Sequence, residues 1–351
     1  MRARQGVQGR WLVAVGMGCL LAAAAARADV GTDRPGSILI FPKVVRDGTR
    51  NTLIQLTNTG NLVNNVACFY LNGAPGRNGA PLCSEVDFFL TLTRQQPTHW
   101  DASAGRPVNP SDPFGSSGSG FDPGLVPPVP VGFTGALVCV EVDPNGQPFQ
   151  QNKLKGEAII SGPGGGNLSE YNAVAITSAS PGANMDNILS LNAMEYARCP
   201  SALRMSFIPD GAQDPVIETY GNGGGLSSVV TNLTVVPCNL DFQNGVRTSG
   251  TLTVIRWDEF EDHLSGSQPF GCWASFNIGT LSIMRSALLT GGTVQTQFAE
   301  AQLTASGSPV VGVAESFHAD AIGTVGTSAV NVHEEGGGSI SGLNADIRLP
   351  N

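Results

Sequence analysis

Glycine and proline divide this chain into short segments. Their frequency limits the fold more than any other feature of the sequence. The 351 residues include 45 glycines and 23 prolines, and only 13% of the chain is charged. Long helices need charged residues on their solvent face and tolerate Gly and Pro poorly, so helical bundles and coiled coils are disfavoured. Short apolar runs between turn residues favour β-strands.

Several segments have strand patterns of two kinds. Residues 52–57 (TLIQLT) alternate in polarity, whereas residues 66–71 (VACFYL) are apolar throughout, as in a central strand. Pro42 inside the run 37–45 (SILIFPKVV) indicates a sheet edge or a bulge. Residues 185–198 are the best helix candidate, with a strand followed by a turn as the alternative. We predict a mainly β fold of two antiparallel β-sandwich, immunoglobulin-like units with long Gly/Pro-rich loops and little helix.

The predicted units meet near residue 180, after two stretches rich in Gly, Ser and Pro. The N-terminal unit is residues 29–180 and the C-terminal unit is residues 181–351. Residues 101–132 form a Pro-, Gly- and Ser-rich loop in the first unit. A loop of this length is uncommon in a compact domain, so we interpret it as a surface excursion, with a binding loop as the alternative.

Residues 1–28 have the pattern of a secretory signal peptide. Arginines precede an apolar stretch at 11–26, and Ala26-Arg27-Ala28 matches a cleavage pattern. We expect cleavage after Ala28, a secreted or periplasmic protein, and no membrane span once the signal is removed. The alternatives are an uncleaved membrane anchor and a lipoprotein with Cys19 at its N-terminus.

Negative charge limits the partners. Without the four arginines of residues 1–28 the formal net charge changes from −9 to −13. Phosphate backbones and anionic lipid surfaces would repel such a chain, so nucleic acid is not an expected partner. An unknown protein or a polysaccharide is expected instead, and exposed sheet edges leave self-assembly open.

Six cysteines remain after removal of the signal, an even number that predicts three disulfides in an exported chain. They are Cys68, Cys83, Cys139, Cys199, Cys238 and Cys272. Six cysteines allow 15 pairings, and the sequence does not choose among them. Pairing of neighbours in sequence is our working hypothesis: Cys68 with Cys83, Cys139 with Cys199, and Cys238 with Cys272.

Two groups of polar residues are candidate metal ligands. His318 and Asp320 would share one face of a strand, and His333 follows nearby in sequence. Asp258 and Glu261 belong to the acidic run WDEFEDH, whose oxygens suit calcium but lack the spacing of an EF-hand loop. Solvated polar residues at strand ends explain both groups equally well, so we expect no cofactor, with calcium as the alternative.

Trp100 is the candidate ligand-binding residue. It lies at the entrance to the loop 101–132, where an indole could stack on a sugar, although core packing explains a Trp as well. Paired carboxylates could serve glycoside hydrolysis, but the chain has no G-x-S-x-G, P-loop or H-E-x-x-H motif.

A set of motifs resembles a family of uncharacterised, exported bacterial proteins. The motifs are SILIFPKVV with DGTRNTLIQLTNTGN, CFYLNG with FFLTLTRQQPTHW, EYARCPSALR, and NLTVVPC followed by WDEFEDHLSGSQPFGCW. The resemblance spans most of the predicted mature chain. It implies secretion and a β-rich, disulfide-bearing build, and it transfers no activity.

These features together predict an exported, non-catalytic binding or structural protein that acts outside the cytoplasm. A carbohydrate-binding module, with or without calcium, is the alternative. A secreted hydrolase is the third hypothesis.

Overall fold

A computed structural model describes the chain from residue 29 onward, except for several internal segments. The described residues are 29–108, 122–162, 167–184, 186–209, 212, 228–245, 248–278, 298–320, 323–334 and 342–351. They form a mainly β structure of 24 strands, without a helix in these ranges. The predicted signal peptide lies outside the described residues.

Two sheets contain most strands of the first half of the chain. The six-stranded sheet has the order β1 (Val30–Gly31), β11 (Val174–Ile176), β2 (Ile38–Arg46), β7 (Phe133–Val142), β4 (Asn64–Asn72) and β5 (Ser84–Leu92). The first four-stranded sheet has the order β10 (Leu168–Asn172), β9 (Leu154–Ser161), β3 (Thr52–Asn58) and β6 (Pro97–Asp101).

Two further sheets come from the second half. The five-stranded sheet has the order β18 (His263–Phe270), β17 (Gly250–Asp258), β20 (Ala299–Ser306), β14 (Ala202–Phe207) and β23 (His333–Glu334). The second four-stranded sheet has the order β19 (Ala274–Asn277), β15 (Ser228–Pro237), β21 (Val310–Asp320) and β22 (Gly323–Asn331).

Two small sheets complete the described structure. One pairs β8 (Phe149–Gln150) with β12 (Gly182–Ala183), and the other has the order β13 (Ile188–Leu191), β24 (Ala345–Arg348) and β16 (Leu240–Asp241). The pair of β16 with β24 is parallel, whereas the other strand pairs of the described residues are antiparallel.

The strand patterns of the sequence are reproduced where they were clearest. β3 alternates between buried and half-buried residues, and β4 is buried along nearly its whole length. The bulge predicted at Pro42 is confirmed, because the register of β2 against β7 shifts between Phe41 and Val44. The helix candidate at 185–198 is wrong: its described residues form β13 and a turn, since Asn184 and Asn192 each accept backbone hydrogen bonds two residues ahead.

The prediction of two immunoglobulin-like sandwich units is wrong, because the strands divide among small sheets that share cores. An immunoglobulin-like unit consists of two sheets that pack on each other through one inner face each. Here the six-stranded sheet is buried on both faces. Leu39 and Phe41 of β2 join a core shared with the first four-stranded sheet, whereas Ile38 and Ile40 join another core.

This second core draws its residues from both halves of the sequence. It contains the face of the six-stranded sheet that carries Ile38 and Ile40, together with residues of β13, β16 and β24, including Leu189 and Ile347. A third core lies between the five-stranded and second four-stranded sheets. The apolar runs predicted buried strands, but they did not reveal which distant segments cover them.

The boundary between two units near residue 180 stays a prediction.

Three disulfides join the six cysteines, which confirms that prediction. The neighbour pairing is wrong, because the bonds are Cys68–Cys139, Cys83–Cys272 and Cys199–Cys238. Cys68 and Cys139 lie opposite each other on adjacent strands β4 and β7, although 71 residues separate them. Disulfides fit a protein that folds in an oxidising compartment.

The predicted loop 101–132 is described at residues 101–108 and 122–132, and residues 109–121 lie outside the described part. Arg106 and Val126 exchange backbone hydrogen bonds of 2.9 Å, and Arg106 contacts the Asp122 carboxylate at 2.5 Å. Val126 and Val129 are buried in the core beneath β6. The described ends of this segment are therefore packed on the protein.

Candidate functional site

A cleft of about 840 Å³ lies where three segments distant in sequence meet. One wall comes from β2 and the following turn, at residues 43–50. The second is the loop at 73–81 between β4 and β5. The third is residues 268–276, which run from the end of β18 into β19. A volume of this size is typical of ligand sites.

The second and third walls are covalently joined. The disulfide Cys83–Cys272 links the loop before β5 to the segment between β18 and β19. Beside it, the Trp273 indole is buried and its Nε1 donates a 2.9 Å hydrogen bond to the Pro42 carbonyl. A Cβ atom at Gly73 would come within 2.3 Å of this indole, so the close contact requires glycine. These links fix the cleft before any ligand enters.

A buried ion cluster lies at the first wall. Lys43 Nζ is 2.7 Å from Glu315 Oε2, and the Arg50 guanidinium contacts the other carboxylate oxygen. The side chains of Lys43, Arg50 and Glu315 are only 4%, 12% and 1% exposed. Ser169 Oγ also donates to Glu315 at 2.8 Å. The cluster therefore ties β2 and its turn to β10 and β21.

Local turn chemistry places Arg50 in this cluster. Asp47 Oδ1 accepts backbone hydrogen bonds from Thr49 and Arg50, at 3.0 and 2.8 Å. Carboxylates in such Asx turns hold the backbone of the next residues. The Arg50 guanidinium then lies over the Phe317 ring, 5.0 Å from its centroid.

The cluster sets opposite pKa directions for its partners. Burial lowers the pKa of Lys43, and the attraction of Glu315 restores it only in part. Burial alone would raise the pKa of Glu315, but the charges and hydrogen bonds of Lys43 and Arg50 outweigh it and lower that pKa. Glu315 is therefore a stable anion that holds two cations.

Sequence analysis missed Lys43 and Arg50 as site residues. A signal was present, because Lys43 stands inside the apolar run SILIFPKVV and Glu315 inside VVGVAES. A charged residue in a buried strand requires a partner. The sequence did not show that these two strands contact each other.

Trp100 is not a sugar platform. It lies on β6 rather than in a loop, and it is 2% exposed. Its Nε1 donates a 2.6 Å hydrogen bond to the Tyr70 hydroxyl, and its ring packs edge-on against Phe88. Alternation along β6 directs Trp100 into the core, and buried indoles normally find such a partner.

The acidic run at 258–262 forms a turn rather than a calcium loop. Asp258 is buried, and its Oδ1 accepts backbone hydrogen bonds of 3.0 Å from Phe260 and Asp262. Its other oxygen lies 3.8 Å from the buried Arg256 guanidinium. Glu261 is exposed with a φ of 66°. The carboxylate of Asp258 is thus engaged by the turn itself.

The three other candidate ligands are not brought together. His318 and Asp320 lie on β21, where a bulge after His318 interrupts the alternation that would place them on one face. Asp320 accepts a backbone hydrogen bond from Gly323, and His318 Nε2 lies 3.4 Å from Ser328 Oγ. His333 belongs to the five-stranded sheet, opposite Arg204. Within the described ranges, no group of three His, Cys, Asp or Glu residues could hold a metal ion.

No protein-family model matches the chain, and no curated protein matches it. Among solved structures, a transglutaminase from red sea bream aligns with 88% of this chain and 31% of its own, at 8% identity and a TM-score of 0.13. The chain thus spans about a third of that protein, and a score this low bears on neither fold nor function. The described segments contain no helix with the length and hydropathy of a membrane span.

Proposed function

We propose that this chain is an exported binding protein that holds its ligand in the cleft between residues 43–50, 73–81 and 268–276. The observation that carries the proposal is the fixed geometry of that cleft. Its walls are tied by Cys83–Cys272 and by the hydrogen bond from Trp273 to Pro42. A site ordered before binding loses less conformational entropy when a ligand enters.

Export is part of this proposal and rests on the pattern of residues 1–28 together with the three disulfides. Disulfides persist in oxidising compartments and are rare in the cytosol of mesophiles. The resemblance to exported bacterial proteins stays a prediction. The secreted-hydrolase hypothesis also stays untested.

A pair of variants on β18 tests the cleft. Gln268 lies opposite Leu252 and lines the cleft, whereas Ser265 lies opposite Ile255 on the other face of the same strand. Gln268→Trp should fill the cleft, and Ser265→Trp is the matched control with the same added ring on the same strand.

The measurement is thermal unfolding of oxidised protein (residues 29–351) with soluble polysaccharides, mixed peptide pools and small carboxylic acids. A ligand at about 100 times its dissociation constant adds about 2.7 kcal/mol, which raises Tm by a few degrees. We expect a shift for wild type and Ser265→Trp that Gln268→Trp abolishes. Equal shifts in both variants, or a panel that shifts none of the proteins, would contradict the proposal.

A further inference from the structure

Two edge strands present their backbones to the cleft. β18 ends the five-stranded sheet and β19 ends the second four-stranded sheet. Residues 273–276 all line the cleft, as do residues 268–271. Side chains of consecutive strand residues point to opposite faces, so a run that lines one cavity must face it with its backbone edge.

The edge of β19 also lacks the charges and prolines that three other sheet edges carry. In the described part of the chain, the backbone of residues 274–276 is hydrogen-bonded on the β15 side and on no other. β5 carries Glu85 and Asp87, β6 carries Pro97 and β18 carries Pro269. Charges and prolines keep edge strands from pairing with other chains. Residues 274–276 (ASF) have neither.

The first wall offers a buried hydrogen-bond donor. The buried Nε of Arg50 has no hydrogen-bond partner among the described residues. Lys43, Asp47 and Arg50 line this wall, and with Glu315 their formal charges cancel, so the wall offers the Arg50 donor rather than a net charge. Unmet buried donors are costly, so a ligand that brings an acceptor to Arg50 would be favoured.

We infer that the ligand is an extended peptide that adds a strand along residues 274–276 at the edge of β19 and brings a carboxylate towards Arg50. This inference rests on the proposed function and names its ligand class. Main-chain hydrogen bonds to an exposed sheet edge supply affinity in this mode of recognition, and side-chain contacts supply specificity. The carboxylate could belong to an acidic side chain or to the C-terminus of the peptide.

The probes are pools of acetylated hexapeptides with one position fixed as Asp or Asn, each made with a free or an amidated C-terminus. Fluorescence anisotropy with the oxidised protein measures binding. We expect the Asp pools to bind at least tenfold more tightly than the Asn pools if a side chain supplies the carboxylate. If the C-terminus supplies it, the free-acid pools should exceed the amidated pools by that factor.

Backbone pairing is tested on the ligand, so that the fold of the protein is untouched. Two forms of the best peptide are made, one N-methylated at its odd-numbered amides and one at its even-numbered amides. One form should bind at least tenfold more weakly than the unmodified peptide, and the other should bind nearly as well. Hydrogen exchange should show new protection of residues 274–276 when the peptide is bound. Equal binding of the two N-methylated forms, or no new protection of residues 274–276, would overturn the inference.

The protein-side test uses charge at the cleft. Gln268→Glu should weaken binding of the acidic peptide several-fold and Gln268→Lys should strengthen it, whereas Ser265→Glu on the opposite face should leave it unchanged. If no peptide pool binds but a polysaccharide or small acid gives a shift that Gln268→Trp abolishes, the inference fails and the proposed function stands. If no probe binds in the cleft, both fail.

Discussion

Two buried carboxylates, Glu315 and Glu141, are held by different kinds of partner. Glu315 joins distant sheets and is held by two cations, Lys43 and Arg50. Glu141, on β7, lies in the first half of the chain and accepts hydrogen bonds of 2.6–2.9 Å from the backbone N–H groups of residues 151–153. Asn64 donates a fourth, of 2.8 Å.

The difference shows in their proton affinities. Burial raises the pKa of Glu141, and the hydrogen bonds only partly oppose it, whereas the cations lower the pKa of Glu315. The neutral donors around Glu141 thus order a turn, but they do not offset the free-energy cost of burying its charge. The cations around Glu315 do offset that cost.

Loss of the Glu315 charge should have the largest effect. Glu315→Gln leaves Lys43 and Arg50 buried without an anion, and we expect a loss of about 3–5 kcal/mol in the free energy of unfolding. Urea denaturation measures it. The control is Glu315→Gln with Lys43→Met, which removes one stranded charge and should recover part of the loss. No recovery would show that the pairing of charges is not the cause.

Loss of the Glu141 charge should have a smaller effect. Glu141→Gln keeps one acceptor oxygen but turns an amide group towards backbone donors, which costs about 1–3 kcal/mol. The same denaturation experiment measures it, with Glu157→Gln on β9 as a control at a half-buried position. A cost equal to that of Glu315→Gln would argue that cation pairing adds nothing to burial.

The pH dependence gives the smallest and most discriminating signal. Glu315 has a lowered folded pKa, so its contribution is present above the ordinary value of 4.5 and is lost as pH falls through the folded pKa. Glu141 has a raised folded pKa, so its contribution is present below 4.5 and is lost as pH rises through the folded pKa.

The cost of Glu315→Gln should therefore stay constant from pH 7.5 to 4.5 and shrink as pH falls further towards the folded pKa, whereas the cost of Glu141→Gln should grow as pH falls from 7.5 to 4.5. Unfolding free energies of each variant and of wild type at pH 7.5, at pH 4.5 and at the lowest pH where the protein stays folded measure both slopes. Parallel slopes for the two variants would contradict the contrast.

Much of the strand pattern could be read from the sequence because it depends on near neighbours. Alternation in TLIQLT and the apolar run around Cys68 predicted β3 and β4. β6 and β14 were missed: Pro97–Asp101 is short and begins with proline, whereas Ala202–Phe207 alternates in polarity and was overlooked. Their partners in the sheets stabilise them.

The candidate site could not be read in this way. Lys43 and Glu315 each stand in an apolar run and so require a partner, but they are far apart in sequence and neither run indicates the other. Trp100 was placed at a loop entrance because the five-residue strand around it was not recognised. The disulfide pairing was predicted wrongly for the same reason, since Cys83 and Cys272 are 189 residues apart and meet only when the sheets pack.

Local sequence patterns suffice to show that this protein is built of strands, that its cysteines pair, and that its turns fall at Gly, Pro and Asn. These properties follow from backbone preferences and local polarity, which act over a few residues. The tertiary structure alone decided which sheets share a core, which cysteines bond, and that Arg50 and the edge of β19 face one cleft. Such contacts depend on how buried surfaces cover one another, and no local pattern records that choice.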